Sequence, residues 1–147
     1  MPGMDGPGQA GEKKPDFVAR ERAQRLAKQE RLQATDGPAY GYDRDHTLAQ
    51  ARAEFDGLAA GEERDEQVRV AGRLMLIRRH GGLVFADLKD QTGTIQLLFS
   101  RSDGVLDGVA DLDRGDWIGV VGTGMRTRKG ELSIRVREWR LLTKSLR

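Results

Sequence analysis

The chain has 147 residues, of which 37% are hydrophobic; that suits one modest core and excludes a multidomain enzyme. It has no cysteine and two histidines, which excludes a disulfide scaffold, a zinc ribbon and a thiol nucleophile. A net charge of +2 conceals an asymmetry: residues 1–65 carry 10 basic and 13 acidic side chains, residues 66–147 carry 15 and 10, and from Trp117 onward the balance is 8 to 2.

A basic C-terminal half fits a polyanion such as nucleic acid, and it equally fits a solvated surface. No run reaches the ~18 apolar residues of a membrane span, and the N-terminus lacks the apolar core of a signal peptide. A soluble cytoplasmic protein with no membrane partner is expected.

Residues 1–15 are rich in Gly and Pro and are expected to be a disordered tail. Residues 16–65 are expected to form a helical N-terminal extension. Asp16 to Gln33 contains strong helix formers, Asp16 suits an N-cap, and the apolar stripe Val18, Ala23, Leu26, Ala27 is thin. Gly37-Pro38 ends that helix, and Tyr40-Gly41-Tyr42 makes an irregular connector. Thr47-x-x-Gln50 is a capping box that opens a second helix. Leu48, Ala51, Phe55 and Leu58 recur there at helical spacing until Gly57 or Gly61 stops it.

From Gln67 the period changes to that of strands. Val68, Val70, Leu74 and Leu76 alternate with Arg69, Ala71, Arg73 and Met75, and Gly72 predicts a bulge or sharp coil. His80-Gly81-Gly82 is a hairpin turn before a second strand, Leu83 to Lys89, and Asp90-Gln91-Thr92-Gly93 is a turn before a third, marked by Ile95, Leu97 and Phe99. Val105, Leu106, Val109 and Leu112 have helical spacing. Trp117 to Val121 is a fourth strand, Arg128-Lys129-Gly130 a turn, and Glu131 to Leu142 a fifth strand with Leu132, Ile134 and Val136 inward. Three strands, a short helix and two strands are the plan of a mainly β, five-stranded OB-fold Greek-key barrel over residues 66–147; such barrels bind oligonucleotides on the face of strands two and three.

The pleat turns Leu83, Phe85 and Asp87 outward, with Gln96 and Leu98 beside them. Phe85 either stacks on a base or packs under a loop or the N-terminal helix. Gln96 can donate to and accept from a base edge. Arg78 and Arg79 end the first strand and are candidates for base stacking or phosphate contact. Glu131, Ser133, Arg135 and Arg137 face out along the fifth strand, where arginines either contact phosphate or merely solvate the surface. Arg126 and Arg128 join Arg135 and Arg137 as a candidate electrostatic footprint.

Other signals are weak. Gly119-x-x-Gly122-x-Gly124 lies within a strand and suits a barrel bend rather than a dinucleotide fingerprint. Asp103, Asp107, Asp111, Asp113 and Asp116 lack EF-hand spacing, and His46 and His80 have no spaced partner, so no metal or cofactor is expected and both histidines read as ordinary surface residues. There is no nucleophile–base pair and no carboxylate pair for catalysis.

Val70-Ala71-Gly72-Arg73 through Arg78, then Phe85-Ala86-Asp87-Leu88-x-Asp90-x-x-Gly93-x-Ile95-Gln96-Leu97, closely resembles the anticodon-binding domain of bacterial class II lysyl-tRNA synthetases. Gly115-Asp116-Trp117-Ile118-Gly119-Val120-x-Gly122-Thr123, Gly130-Glu131-Leu132-Ser133-Ile134 and the ending Leu141-Leu142-Thr143-Lys144-Ser145-Leu146-Arg147 extend the resemblance, as does the helical prelude with His46-Thr47 at its second helix. Residues 16–147 are covered. The resemblance implies a reader of the lysine tRNA anticodon loop: Phe85 matches the aromatic that stacks on the central uridine, Gln96 a third-strand Gln, Glu131 a Glu after the last hairpin, and Arg78 an Arg late in the first strand. Two departures stand out. Gly82 replaces a Lys usual just before the second strand, and the chain stops at Arg147, where that family's catalytic domain begins. The expectation is a non-catalytic tRNA-binding module, monomeric or weakly dimeric. The alternatives are a fragment of a lysine–tRNA ligase and a generic single-strand binder.

Overall fold

The computed structural model describes residues 42–145. The expected tail, the helix over 16–33 and most of the Tyr-containing connector lie outside these residues.

The capping box forms as its sequence dictates. Thr47 Oγ1 accepts from the Gln50 amide at 3.1 Å while Gln50 Oε1 accepts from the Thr47 amide at 2.8 Å. The helix it opens, α1 (Leu48–Phe55), buries Leu48, Ala51 and Phe55. It ends at Asp56, just short of Gly57.

Five strands follow: β1 (Glu63–His80), β2 (Leu83–Asp90), β3 (Gly93–Ser100), β4 (Trp117–Arg126) and β5 (Leu132–Thr143). They close a barrel in the order β1-β2-β3-β5-β4. Every pairing is antiparallel except β3 with β5, a short parallel ladder over Gln96↔Ser133, Leu97↔Ile134 and Leu98↔Arg135. β1 begins four residues earlier than its sequence pattern suggests, and it serves two partners: its first half pairs with β4, its second with β2. Gly72 sits at the handover. A Cβ there would meet the Lys89 carbonyl oxygen of β2 at 2.7 Å, so only glycine lets the two backbones approach this closely.

The bulge itself falls three residues later, between Leu74 and Leu76. Leu74 is fully buried, yet Leu76, expected on the same face, is 47% exposed. The extra residue, Met75, reverses the alternation of the strand that follows. It is this reversal that turns Arg78 outward.

The core is filled by inward positions such as Val70, Leu88, Leu97, Ile118 and Ile134. α1 packs over the end marked by the β2–β3 turn, where Asp90 accepts from the Leu48 amide at 3.0 Å and Thr92 Oγ1 accepts from the Ala49 amide at 3.0 Å. The helical spacing between β3 and β4 resolves into two three-residue 3₁₀ turns, Arg101–Asp103 and Val109–Asp111. Gly104 (φ 70°) and Gly108 (φ 84°) take left-handed backbone, which an α-helix cannot contain. Val105, Val109 and Leu112 still reach the core from these turns.

The glycines of β4 are seats for rings. A Cβ on Gly119 would run into the Tyr42 ring, and one on Gly124 into the Phe55 ring. Tyr42 is thereby buried against the barrel wall between the guanidinium groups of Arg69 and Arg140, at 5.8 and 5.6 Å from its centroid.

Candidate nucleic-acid interface

Cross-strand register assembles one outward face. Arg78 pairs with Phe85, Phe85 with Leu98, Asp87 with Gln96, and Gln96 with Ser133. Side chains opposite one another in a sheet share a face. Three residues singled out from sequence, Arg78, Phe85 and Gln96, are therefore brought to the same side of the barrel across β1, β2 and β3, and Glu131 lies just before β5, two residues ahead of Ser133.

Their contacts form a directed chain. Arg78 Nη2 donates to Gln96 Oε1 at 2.8 Å, Gln96 Nε2 donates to Ser133 Oγ at 3.0 Å, and Ser133 Oγ donates to the Glu131 carbonyl at 3.2 Å. The Gln96 amide is thereby locked with its oxygen toward Arg78 and one amide hydrogen uncommitted. Arg78 also lies beside Phe85, with its guanidinium carbon 5.9 Å from the ring centroid. Phe85 is half-buried. Among the described residues its aromatic neighbour is His80, edge-on at 6.2 Å.

Gln96 departs from expectation in one respect. It lies on the outward face but is only 8% exposed, because β5 runs beside it and Ser133, expected to face solvent, is wholly buried under the same contact. Glu131 is exposed. Its amide donates to Thr127 Oγ1 at 2.9 Å, which fixes the turn from which its side chain projects.

The other basic candidates are not gathered at Phe85. Arg79 has the opposite parity from Arg78 and donates to the Val109 carbonyl at 3.3 Å. Arg126 braces the α1–β1 connection, donating to the carbonyls of Leu58, Gly130 and Asp56 at 2.6, 2.9 and 3.1 Å. Arg135 grips Asp103 with two donors at 2.7 and 2.9 Å and reaches Glu63 at 3.0 Å. The Arg135 hydrogen bonds hold the Asp103 carboxyl below its ordinary range, and Asp103 in turn holds the Arg135 guanidinium above its own. Arg137 also donates to Asp103, at 3.0 Å. Arg135 and Arg137 are thus ion-paired within the protein, and Arg126 is spent on backbone carbonyls. Arg128 remains exposed in the β4–β5 turn.

Sequence reasoning missed Ser133 as a hub and His80 as a neighbour of Phe85. The hairpin register contains the second signal, since His80 pairs with Leu83 two residues from Phe85. It also read His46 as an ordinary surface residue, whereas its ring bridges Asp45 and Glu54, each at 2.6 Å. No helix among the described residues is long and apolar enough to cross a membrane.

Comparison with known proteins agrees with this architecture. The model of the tRNA anti-codon family, an OB-fold nucleic acid binding domain, matches residues 68–142. A lysine–tRNA ligase from Synechococcus sp. (strain CC9902) is 45% identical over 134 residues, covering 85% of this chain and 27% of that protein. A lysine–tRNA ligase from Nostoc punctiforme is 42% identical over 139 residues, covering 85% of this chain and 25% of that protein. One from Prochlorococcus marinus (strain MIT 9313) is 40% identical over 141 residues. The chain spans about a quarter of the length of these curated relatives.

Proposed function

The chain belongs to the tRNA anti-codon family of OB-fold nucleic-acid-binding domains, and from that premise we propose that it reads the anticodon loop of lysine tRNA through the face around Phe85, without itself performing chemistry. The observation that carries this reading is the half-buried Phe85 ring flanked by the pre-set donors of Arg78 and Gln96. RNA loops are recognised by splaying bases onto aromatic rings and hydrogen-bonding their Watson–Crick edges.

In this reading the central base stacks on Phe85. The uncommitted Gln96 amide hydrogen and the Arg78 guanidinium meet acceptors on its edge, and Glu131 accepts from a donor on a neighbouring base. Uridine fits this arrangement because its edge offers two carbonyl oxygens, whereas cytidine presents an amine toward the same donors. Pre-setting by Ser133 lowers the ordering cost of forming these bonds. The module acts in the cytoplasm as a monomer or weak dimer.

A second reading comes from the coverage of the relatives: the chain is the anticodon-binding part of a longer lysine–tRNA ligase. Reading the gene beyond Arg147 tests that directly. The RNA reading is tested by fluorescence anisotropy at fixed moderate salt. A lysine anticodon stem-loop is compared with the same loop carrying cytidine for its central uridine. A preference of tenfold or more, about 1.4 kcal/mol, supports an anticodon reader. Equal binding would make the barrel a generic single-strand binder, and no binding would point to a protein-interaction role.

A further inference from the structure

Beside Phe85 lies a second group of residues that the anticodon reading leaves unused. Among the described residues three large hydrophobic side chains are exposed, and two of them, Leu76 at 47% and Leu83 at 37%, share the face of Phe85. At the Leu83 end the face is completed by His80, paired with Leu83 from β1, and by Ser100, paired with it from β3. Arg101 follows Ser100 directly. Its amide donates to the Gly82 carbonyl at 2.9 Å. A Cβ on Gly82 would lie 3.5 Å from the Arg101 Cβ and 3.8 Å from its Cζ and Nη1. The arginine stem is therefore laid along a turn that is bare because residue 82 is glycine. Unlike Arg126, Arg135 and Arg137, the Arg101 guanidinium has no hydrogen bond or ion pair with any described residue, and the side chain is exposed.

Resting on the anticodon reading and extending it, we propose that Leu83, His80 and Arg101 form a second nucleotide subsite. The base next to the one on Phe85 lies on Leu83 and His80, and the phosphate joining the two is held by Arg101. The spacing favours this. Leu83 and Phe85 are two residues apart on one strand, a rise of roughly 6.6 Å, whereas duplex bases stack at about 3.4 Å. Two bases placed on these side chains are splayed apart, as in a recognised loop. Apolar surface at one end, an exposed cation at the edge and no partner for that cation among the described residues are what a nucleotide needs, an apolar floor for the base and a charge for the phosphate.

The test uses the whole chain and a fluorescent lysine anticodon stem-loop. Anisotropy is followed across salt concentrations for the parent, Arg101→Gln, Leu83→Ser and Arg114→Gln, an exposed arginine in the turn before β4 that serves as a charge control. A parallel set of loops carries an abasic site on one or the other side of the central uridine. The subsite predicts that Arg101→Gln weakens binding and lowers the slope of log affinity against log salt by about 0.7, the value of one single-strand phosphate contact. Arg114→Gln leaves that slope unchanged. In the parent, an abasic site on one side is costlier than on the other, and Leu83→Ser removes that difference. Equal slope changes for Arg101→Gln and Arg114→Gln overturn the phosphate contact, and an undiminished abasic asymmetry in Leu83→Ser overturns the base contact. If the parent prefers central uridine and Phe85→Ala abolishes the preference while both subsite variants bind as the parent does, the subsite alone falls. If the parent does not bind the loop, the anticodon reading falls and the subsite with it. Arg101 is exposed and makes no side-chain bond with a described residue, so its variant reports on binding even where Leu83→Ser proves unstable.

Discussion

Arg78 and Phe85 stand opposite each other across β1 and β2, and the arginine that flanks the ring, 5.9 Å from its centroid, also donates at 2.8 Å to Gln96 on the next strand. Stacking surface and polar edge are thus parts of one connected unit. This relationship depends on the bulge at Met75, because without the reversed alternation Arg78 would share the inward side of Leu74.

Phe85→Ala removes the stacking surface while leaving the barrel core intact. Binding to the lysine anticodon stem-loop should weaken by about 1–3 kcal/mol. Anisotropy titration checks the loss of affinity, and thermal unfolding should show little change in Tm. A variant that binds as the parent does would take Phe85 out of the site.

Gln96→Leu keeps the volume but leaves the Ser133 hydroxyl without its donor and Arg78 without its acceptor. Discrimination between central uridine and cytidine should fall more than affinity for unrelated single strands. A stability loss of about 1–3 kcal/mol should accompany it, since Ser133 is buried. Urea titration and the paired stem-loops separate the two effects.

The arginines of the C-terminal half should divide by what they already hold. Arg135→Gln leaves Asp103, whose side chain is 6% exposed, short of its bidentate partner, and should cost about 1–3 kcal/mol of folding stability. Arg128→Gln should leave stability unchanged and reduce the salt slope of RNA binding by about 0.7. Reversal of these two outcomes would mean that Arg135 is released to meet RNA.

Two groups give stability opposite dependences on pH. Hydrogen bonds from Arg135 hold the Asp103 carboxyl below its ordinary value of 3.8; its contribution is complete above that value and is lost as pH falls through the depressed value. The hydrogen bond to Asp45, opposed by burial and helped by Glu54, raises the His46 imidazole above 6.5. Its contribution is complete below 6.5 and is lost as pH rises through the raised value. His46→Gln should therefore remove the loss on the alkaline side of pH 6.5 and leave the Asp103 contribution to the acid limb in place, as read by urea midpoints across pH.

Gly124→Ala should destabilise the barrel by about 1–3 kcal/mol through overpacking, because the new methyl group meets the Phe55 ring against a strand backbone that cannot retreat. A urea midpoint equal to the parent's would show that α1 shifts freely on the barrel.

Most of the barrel was legible in the chain itself. Val84, Ala86 and Leu88 alternate cleanly, and the outward placement of Phe85 follows from them. The capping box at Thr47 was equally plain, since its partners are three residues apart. What escaped depends on contacts distant in sequence. Gly72 signals a close approach, but the bulge falls at Met75, where β1 adjusts to β2. The burial of Gln96 and Ser133 requires the β3–β5 pairing, 37 residues apart. Arg135 reads as a free cation until Asp103, 32 residues earlier, is brought beside it. The glycines of β4 read as bend points, and nothing local shows that two rings are seated on them.

Asp90 carries a consequence of its own. One carboxylate closes the β2–β3 turn through the amides of Thr92 and Gly93 at 2.7 and 3.1 Å, receives the first amide of α1 at 3.0 Å, and faces Arg44 at 3.6 Å. An eight-residue helix is too short to persist in water by itself. α1 thus has to wait in folding for a hairpin formed some forty residues downstream. Once docked, it opens only when that hairpin opens, so the amide hydrogens of Leu48 and Ala49 should exchange with solvent at the pace of the barrel rather than at that of a fraying helix end.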